Sequence, residues 1–255
     1  MQTLRLQEGI IYGPVRSRRL GISLGINLLP TSYKWCTFNC LYCHYGWTKI
    51  HTNDASSCIS DLPSVEQVKE SLEGWLDKNR DHIDCITFSG NGEPCLHPEF
   101  DEMVDIAMQA RDRFVPQAQL AILSNSTCLD NERVQSGLKK LDVRIMKLDC
   151  GTEKTFRELN RPSIGIQFEK VMENLKKLDD TILQSVFVKG RVNNTQEGEV
   201  EKWMGRLAYI KPEEVQVYSI DRPSADEGLA LVTKDKLSQI ARKVEEACGI
   251  SVKVF

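Results

Sequence analysis

ISLGINLL (22–29) is followed six residues later by CTFNCLYC (36–43). The first stretch is a short apolar run stopped by Pro30, the length of a buried strand rather than of a helix. The second puts three thiols, Cys36, Cys40 and Cys43, into the loop that leaves that strand. Outward from this point one theme repeats: brief β-branched runs at 85–89, 119–124, 143–148, 183–188 and 214–219 alternate with helical periodicity at 64–79, 98–113, 130–140, 167–178 and 196–209. A further helix over 233–247 and a short strand at 252–255 close the chain. Six strands each followed by a helix predict a parallel sheet curled into a partial (β/α)6 barrel. Right-handed crossovers bring all strand C-termini to one mouth, where chemistry gathers in such folds.

No internal repeat, low-complexity tract or Pro/Gly linker divides the 255 residues, which predicts one domain. Its expected parts are an N-terminal extension (1–21), the barrel core (22–229) and a C-terminal helix and strand (230–255). The composition, 41% hydrophobic and 27% charged, is that of a soluble globular protein. No apolar run approaches the roughly 18 residues of a membrane span. The first residues lack an apolar secretory segment, so the cytoplasm is the expected compartment and no membrane partner is expected. Lys and Arg total 33 against 36 Asp and Glu, a net charge of −3 without the basic excess of a dedicated nucleic-acid-binding domain. Arg16, Arg18 and Arg19 form the best local basic patch, read either as a phosphate grip or as an ion-paired loop. Nine cysteines, an odd number in a chain of this size, point to metal or redox chemistry rather than to a secreted disulfide framework.

Thiolates are the usual ligands of iron–sulfur clusters and of zinc, and both normally take four. Three cysteines at CxxxCxxC spacing therefore leave one position open. A zinc knuckle completed by His44 or His51 is the alternative that spacing leaves standing.

CTFNCLYC resembles the cluster motif of the radical S-adenosylmethionine (radical SAM) superfamily, with Tyr42 at the aromatic position before the last cysteine. FSGNGEP (88–94) resembles the superfamily's Gly-Gly-Glu-Pro segment, and LSNS (123–126), KLD (147–149) and VKG (188–190) fall at the ends of later strands. GPVRSRRLGISLGINLLP (13–30), SGNGEPCLHPEF (89–100), KLDCGTEKTFRELNRP (147–162) and VYSIDRPSADEGL (217–229) look like the subgroup of the wyosine-base (4-demethylwyosine) synthases and their uncharacterised relatives. Those synthases carry further cysteines ahead of the motif. None precedes Cys36 here.

The resemblance implies a TIM-like partial barrel and an oxygen-sensitive enzyme. A [4Fe-4S] cluster on Cys36, Cys40 and Cys43 would bind S-adenosylmethionine through its open iron and cleave it reductively to a 5′-deoxyadenosyl radical. That radical would abstract hydrogen from a substrate that the sequence does not identify. Reduced flavodoxin or ferredoxin is the implied electron donor. A small metabolite, a peptide side chain and a tRNA base are the substrate classes, the last disfavoured by the acidic isoelectric point near 5.9 and the missing leading cysteines. Expected cofactor contacts are Glu93 with the backbone of Gly90 and Gly92 at the methionine ammonium, Ser124 and Asn125 at the ribose hydroxyls, Asn193 and Asn194 at the ribose or carboxylate, and Tyr42 with the backbone near Tyr218 around adenine. Lys147 and Asp149, two apart on a strand and so on one face, are the catalytic candidates. Cys95, Cys128 and Cys150 each follow a strand end and suggest, with Cys58, an auxiliary iron–sulfur cluster or another soft-metal site. The competing class is a non-catalytic iron–sulfur or zinc protein on the same fold, acting in electron transfer or partner binding.

Overall fold

The computed structural model describes residues 3–79 and 82–255. An antiparallel strand, β1 (Ile11–Ser17), leads into six parallel strands: β2 (Gly21–Ile26), β3 (Cys85–Phe88), β4 (Gln119–Ser124), β5 (Val143–Lys147), β6 (Thr181–Gly190) and β7 (Glu214–Ser219). These pair in chain order from β1 to β7. Beyond them, β8 (Leu229–Leu231) runs antiparallel on the end of β6, and β9 (Ser251–Val254) extends the sheet past β7. The sheet is open, with β1 and β9 at its edges.

Among the described residues seven α-helices cover the outside: α1 (Val65–Lys78), α2 (Phe100–Phe114), α3 (Glu132–Leu138), α4 (Glu153–Leu159), α5 (Phe168–Leu175), α6 (Glu197–Ile210) and α7 (Lys234–Cys248). Each presents an apolar stripe to the sheet. In α1 the stripe is Val68, Leu72 and Leu76, and the helix starts in a reciprocal capping box between Ser64 and Gln67. The core lies between helices and sheet, where Leu24, Ile86, Leu120, Met146 and Leu183 are fully buried. Among the described residues no helix is long and apolar enough to cross a membrane.

All six expected barrel strands are present. The segment read as an N-terminal extension instead supplies β1, hidden in the sequence by Gly13-Pro14, which falls at an irregularity in the β1–β2 register. Its Tyr12 lies flat on Gly25, where a Cβ would come within 2.1 Å of the ring, and the Tyr12 hydroxyl pairs with Ser89. Glycine is the residue that leaves this room. The short helix α4 was also not anticipated. Two arginines of the patch are tied down: Arg18 pairs with Asp221 at 2.8 Å, and Arg19 stands over the rings of Tyr218 and Phe255 at 4.8 and 4.5 Å. These contacts link the β1–β2 turn to β7 and the chain end across the open side of the barrel.

Candidate active site

The loop after β2 is pinned before it reaches the cysteines. Trp35 is fully buried, its indole N–H donates to the Thr52 carbonyl at 3.0 Å, and its backbone bridges to both Ile50 and Gly92. At Gly92 (φ +150°) a Cβ would sit 1.6 Å from the Trp35 carbonyl oxygen, and at Gly90 (φ +131°) 2.5 Å from the Asn27 side-chain oxygen. The two glycines therefore exist to let the β3 loop press against the cysteine loop. That is a different reason from the backbone contact with the methionine ammonium expected of them.

Cys36 and Cys40 are buried and Cys43 is half-buried. Each thiol receives a hydrogen bond from its own side-chain donor: Asn125 Nδ2 to Cys36 Sγ at 3.4 Å, Asn160 Nδ2 to Cys40 Sγ at 3.7 Å and Lys34 Nζ to Cys43 Sγ at 3.0 Å. Burial pushes the Cys36 thiol up to about 11 and Cys40 up to about 12, the neighbouring thiols adding to the effect on Cys40. Thiols so placed keep their protons until a metal displaces them. Burial alone would lower the Lys34 ammonium, but the three thiols outweigh it and hold it above its ordinary range.

Neither histidine completes a zinc set. The His44 ring meets the Pro223 carbonyl at 3.2 Å and the His51 ring the Thr37 carbonyl at 3.1 Å. Among the described residues no three of His, Cys, Asp and Glu stand close enough to hold a single metal ion. A cubane cluster spreads its thiolates around a larger body than one ion, and three thiols leaving one corner free suit it.

Glu93 lies beside Cys36, 1% exposed, with Oε1 accepting from Cys95 N (3.1 Å) and Ser124 Oγ (2.9 Å) and Oε2 from Asn125 N (2.6 Å). Burial nevertheless raises its carboxyl above the ordinary range. Ser124, expected at a ribose, donates to Glu93 and accepts from Ser126 N at 3.1 Å, so its hydroxyl is committed to the loop. Asn125 is placed differently. Its backbone holds Glu93 while its side chain holds Cys36 and, at 2.8 Å, Thr37 Oγ1. Asn193 caps Thr195 through Oδ1. Its neighbour Asn194, 1% exposed, ties the Asp149 and Val186 carbonyls together at 2.8 and 2.7 Å.

Lys147 and Asp149 share a face, as the strand period requires, and form an ion pair at 2.8 Å. The Asp149 side chain is wholly buried and each oxygen has two donors: Lys147 Nζ and Val186 N (2.8 Å) on Oδ1, Tyr42 OH (2.5 Å) and Asn160 Nδ2 (2.7 Å) on Oδ2. A carboxylate so saturated holds its neighbours in place, Lys147 among them. Lys147 stays 14% exposed, donates to the Tyr218 hydroxyl at 2.9 Å and stands near the rings of Tyr42 (5.1 Å) and Tyr218 (4.8 Å). Burial alone would lower its ammonium, and Asp149 and Tyr218 outweigh that effect. The Tyr218 ring carries Arg19 as well as Lys147.

The spare cysteines do not form the expected arc. Cys95 and Cys128 are neighbours close to Glu93, and Cys58 packs with Cys128, Trp35 and Leu96. Cys150 is buried beside Asp149, with Glu199 and Arg206 of α6 near it. Sequence reasoning missed Lys34 and Asn160. Only nearness to a motif, two residues for Lys34, pointed to the first; Asn160 reaches the site through tertiary packing.

With this geometry in hand the family is clear: the chain belongs to the radical SAM superfamily, whose sequence model matches residues 31–191. Members of that superfamily are enzymes that use a [4Fe-4S] cluster and S-adenosylmethionine. The GTPase Obg of Brachyspira hyodysenteriae is 28% identical over 98% of this chain, which spans 35% of that protein's length. The UPF0026 protein MJ1312 of Methanocaldococcus jannaschii is 30% identical over 94% of this chain and 72% of its own. Two solved structures share the fold: TYW1 with a lysine–pyruvate adduct bound (TM-score 0.56, 16% identity, 88% of this chain and 73% of that one) and Streptococcus suis SuiB bound to S-adenosylmethionine (TM-score 0.62, 12% identity, 91% and 50%).

Proposed function

We propose that this chain cleaves S-adenosylmethionine reductively and directs the resulting radical to a C–H bond of a substrate in the barrel lumen. The observation that carries the reading is Asn125, whose backbone amide holds Glu93 at 2.6 Å while its side-chain amide meets Cys36 Sγ at 3.4 Å, so that one residue joins a buried carboxylate to the first thiol of the motif. Cys36, Cys40 and Cys43 would hold the cluster, and Glu93 would favour the methionine ammonium by charge. When bound, cluster and cofactor supply one-electron cleavage of the S–C5′ bond, yielding a 5′-deoxyadenosyl radical that abstracts hydrogen.

The chain's own contribution is orientation and exclusion of water. Asp149 fixes Lys147, and Lys147 offers an ammonium between two aromatic rings to an anionic or carbonyl group of the substrate. Leu123, 37% exposed near the end of β4, offers an apolar wall. Reduced flavodoxin or ferredoxin supplies the electron, and a chain with nine cysteines suits the reducing cytoplasm. The likeness to TYW1 is one of fold and carries no substrate across.

The test is anaerobic reconstitution followed by dithionite and S-adenosylmethionine. Slow release of 5′-deoxyadenosine without added substrate is expected, and its loss when Cys36, Cys40 and Cys43 become alanine together. A fully reconstituted cluster that releases none at any reductant potential would point instead to a non-catalytic electron carrier.

A further inference from the structure

Three donors, each from a different part of the chain, meet three different thiols. Lys34 comes from the loop ahead of the motif, Asn125 from the end of β4 and Asn160 from the end of α4. Their amide and ammonium orientations are locked. Asn125 Oδ1 accepts from Thr127 N at 3.1 Å and Thr127 Oγ1 at 2.8 Å, which turns its NH2 toward Cys36 and Thr37. Asn160, 1% exposed, gives its NH2 to the acceptor-only Asp149 Oδ2 at 2.7 Å and so faces Cys40 with the same nitrogen.

Lys34 is the most telling of the three. It is 5% exposed, and its ammonium meets Cys43 Sγ at 3.0 Å and the Gly46 carbonyl at 3.0 Å. Among the described residues no carboxylate pairs with it. A buried ammonium without a counter-charge is unfavourable, so the site is complete only when negative charge sits on the sulfur side.

We propose that Lys34, Asn125 and Asn160 form a donor shell that sets the reduction potential of the cluster, with the Lys34 ammonium as its fixed counter-charge. This rests on the reading of Cys36, Cys40 and Cys43 as the cluster ligands. One-electron reduction adds negative charge to the cluster, and cations and N–H groups aimed at its sulfurs favour the reduced form. All three are positioning residues: they act through the cysteines. Charge and distance rank them, with Lys34 first, charged and at 3.0 Å, Asn125 second at 3.4 Å and Asn160 last at 3.7 Å.

The experiment is a redox titration of the anaerobically reconstituted protein, without S-adenosylmethionine, followed by the electron paramagnetic resonance of the reduced cluster. Iron and sulfide are measured first on wild type and on the triple Cys36→Ala, Cys40→Ala, Cys43→Ala variant. A cluster that survives in the triple variant overturns the ligand reading itself. Given cluster loss there, Lys34→Met is expected to move the reduction equilibrium toward the oxidised form about tenfold or more, about 59 mV for one electron. Lys34→Arg is expected to restore it, Asn125→Leu to shift it less and Asn160→Leu least. Lys34→Met titrating with wild type, or Asn160→Leu shifting more than Lys34→Met, overturns the donor shell. A second measurement needs no variant: with nitrogen-15 lysine, spin-echo modulation of the reduced cluster should show one coupled lysine nitrogen, and its absence overturns the placement of Lys34.

Discussion

Replacing Asp149 with leucine takes one fully buried carboxylate out of a set of four donors, and its effect can be worked out contact by contact. Lys147 loses its ion-pair partner at 2.8 Å while only 14% exposed. Breaking a buried pair on one side costs about 3–5 kcal/mol. The Val186 backbone N–H, 2.8 Å from Oδ1, is left without an acceptor, which costs about 1–3 kcal/mol more. Asn160 keeps Tyr42 at 3.2 Å, so that side contributes little. The sum, on the order of 5 kcal/mol, is a large share of the roughly 5–15 kcal/mol that stabilises a domain. In Lys147→Met with Asp149→Leu the stranded charge is gone and only the Val186 term of about 1–3 kcal/mol remains. Urea unfolding of wild type, both single variants and the double should therefore give a coupling of at least about 2 kcal/mol. If the single-variant losses simply add, within about 0.5 kcal/mol, the pair is not the coupled unit that its geometry implies.

Gly92→Ala places a Cβ 1.6 Å from the Trp35 carbonyl oxygen where ordinary contact begins at 3.4 Å, so the backbone one residue before Cys36 has to move by about 1.8 Å. Iron content after reconstitution should fall severalfold while far-ultraviolet dichroism stays that of a folded chain; full iron retention would show that the two loops are not locked together. His97 donates from Nε2 to the Pro63 carbonyl at 3.0 Å and accepts the Glu99 N–H at Nδ1, and burial lowers its imidazolium from the ordinary 6.5. A base depressed in the folded state contributes stability above 6.5 that is lost as pH falls toward its folded value. Thermal unfolding of wild type should thus decline relative to His97→Gln below about pH 6.5, and parallel curves would refute the burial argument.

The barrel was legible because its strands are buried on both faces. CITF in β3 is buried at all four residues, and such continuous apolar runs between helical periods leave little else to build. β1 was not legible, since Gly13-Pro14 and three arginines read as a loop and only the packing of Tyr12 on Gly25 makes the segment a strand. At the site, the motif residues and the shared face of Lys147 and Asp149 followed from spacing and strand period. Their division of labour did not: Asp149 is saturated by Tyr42, Asn160 and Val186, which lie 107, 11 and 37 residues away in sequence. Asn160 and Lys34 escaped for the same reason, as did the contact of Asn125 with Cys36, because a hydrogen bond to a thiol leaves no pattern in composition or periodicity. Gly92 shows the converse: it stands out in the sequence, and the Trp35 carbonyl gives a packing reason for glycine there.

Three cysteine ligands and one open iron is the claim on which everything else stands, and iron-57 Mössbauer spectroscopy of the reconstituted protein tests it most directly. Addition of S-adenosylmethionine should change one iron in four and leave the other three as they were. Four irons that respond alike, or none that responds, would contradict a cluster held by Cys36, Cys40 and Cys43 with its fourth corner open to the cofactor.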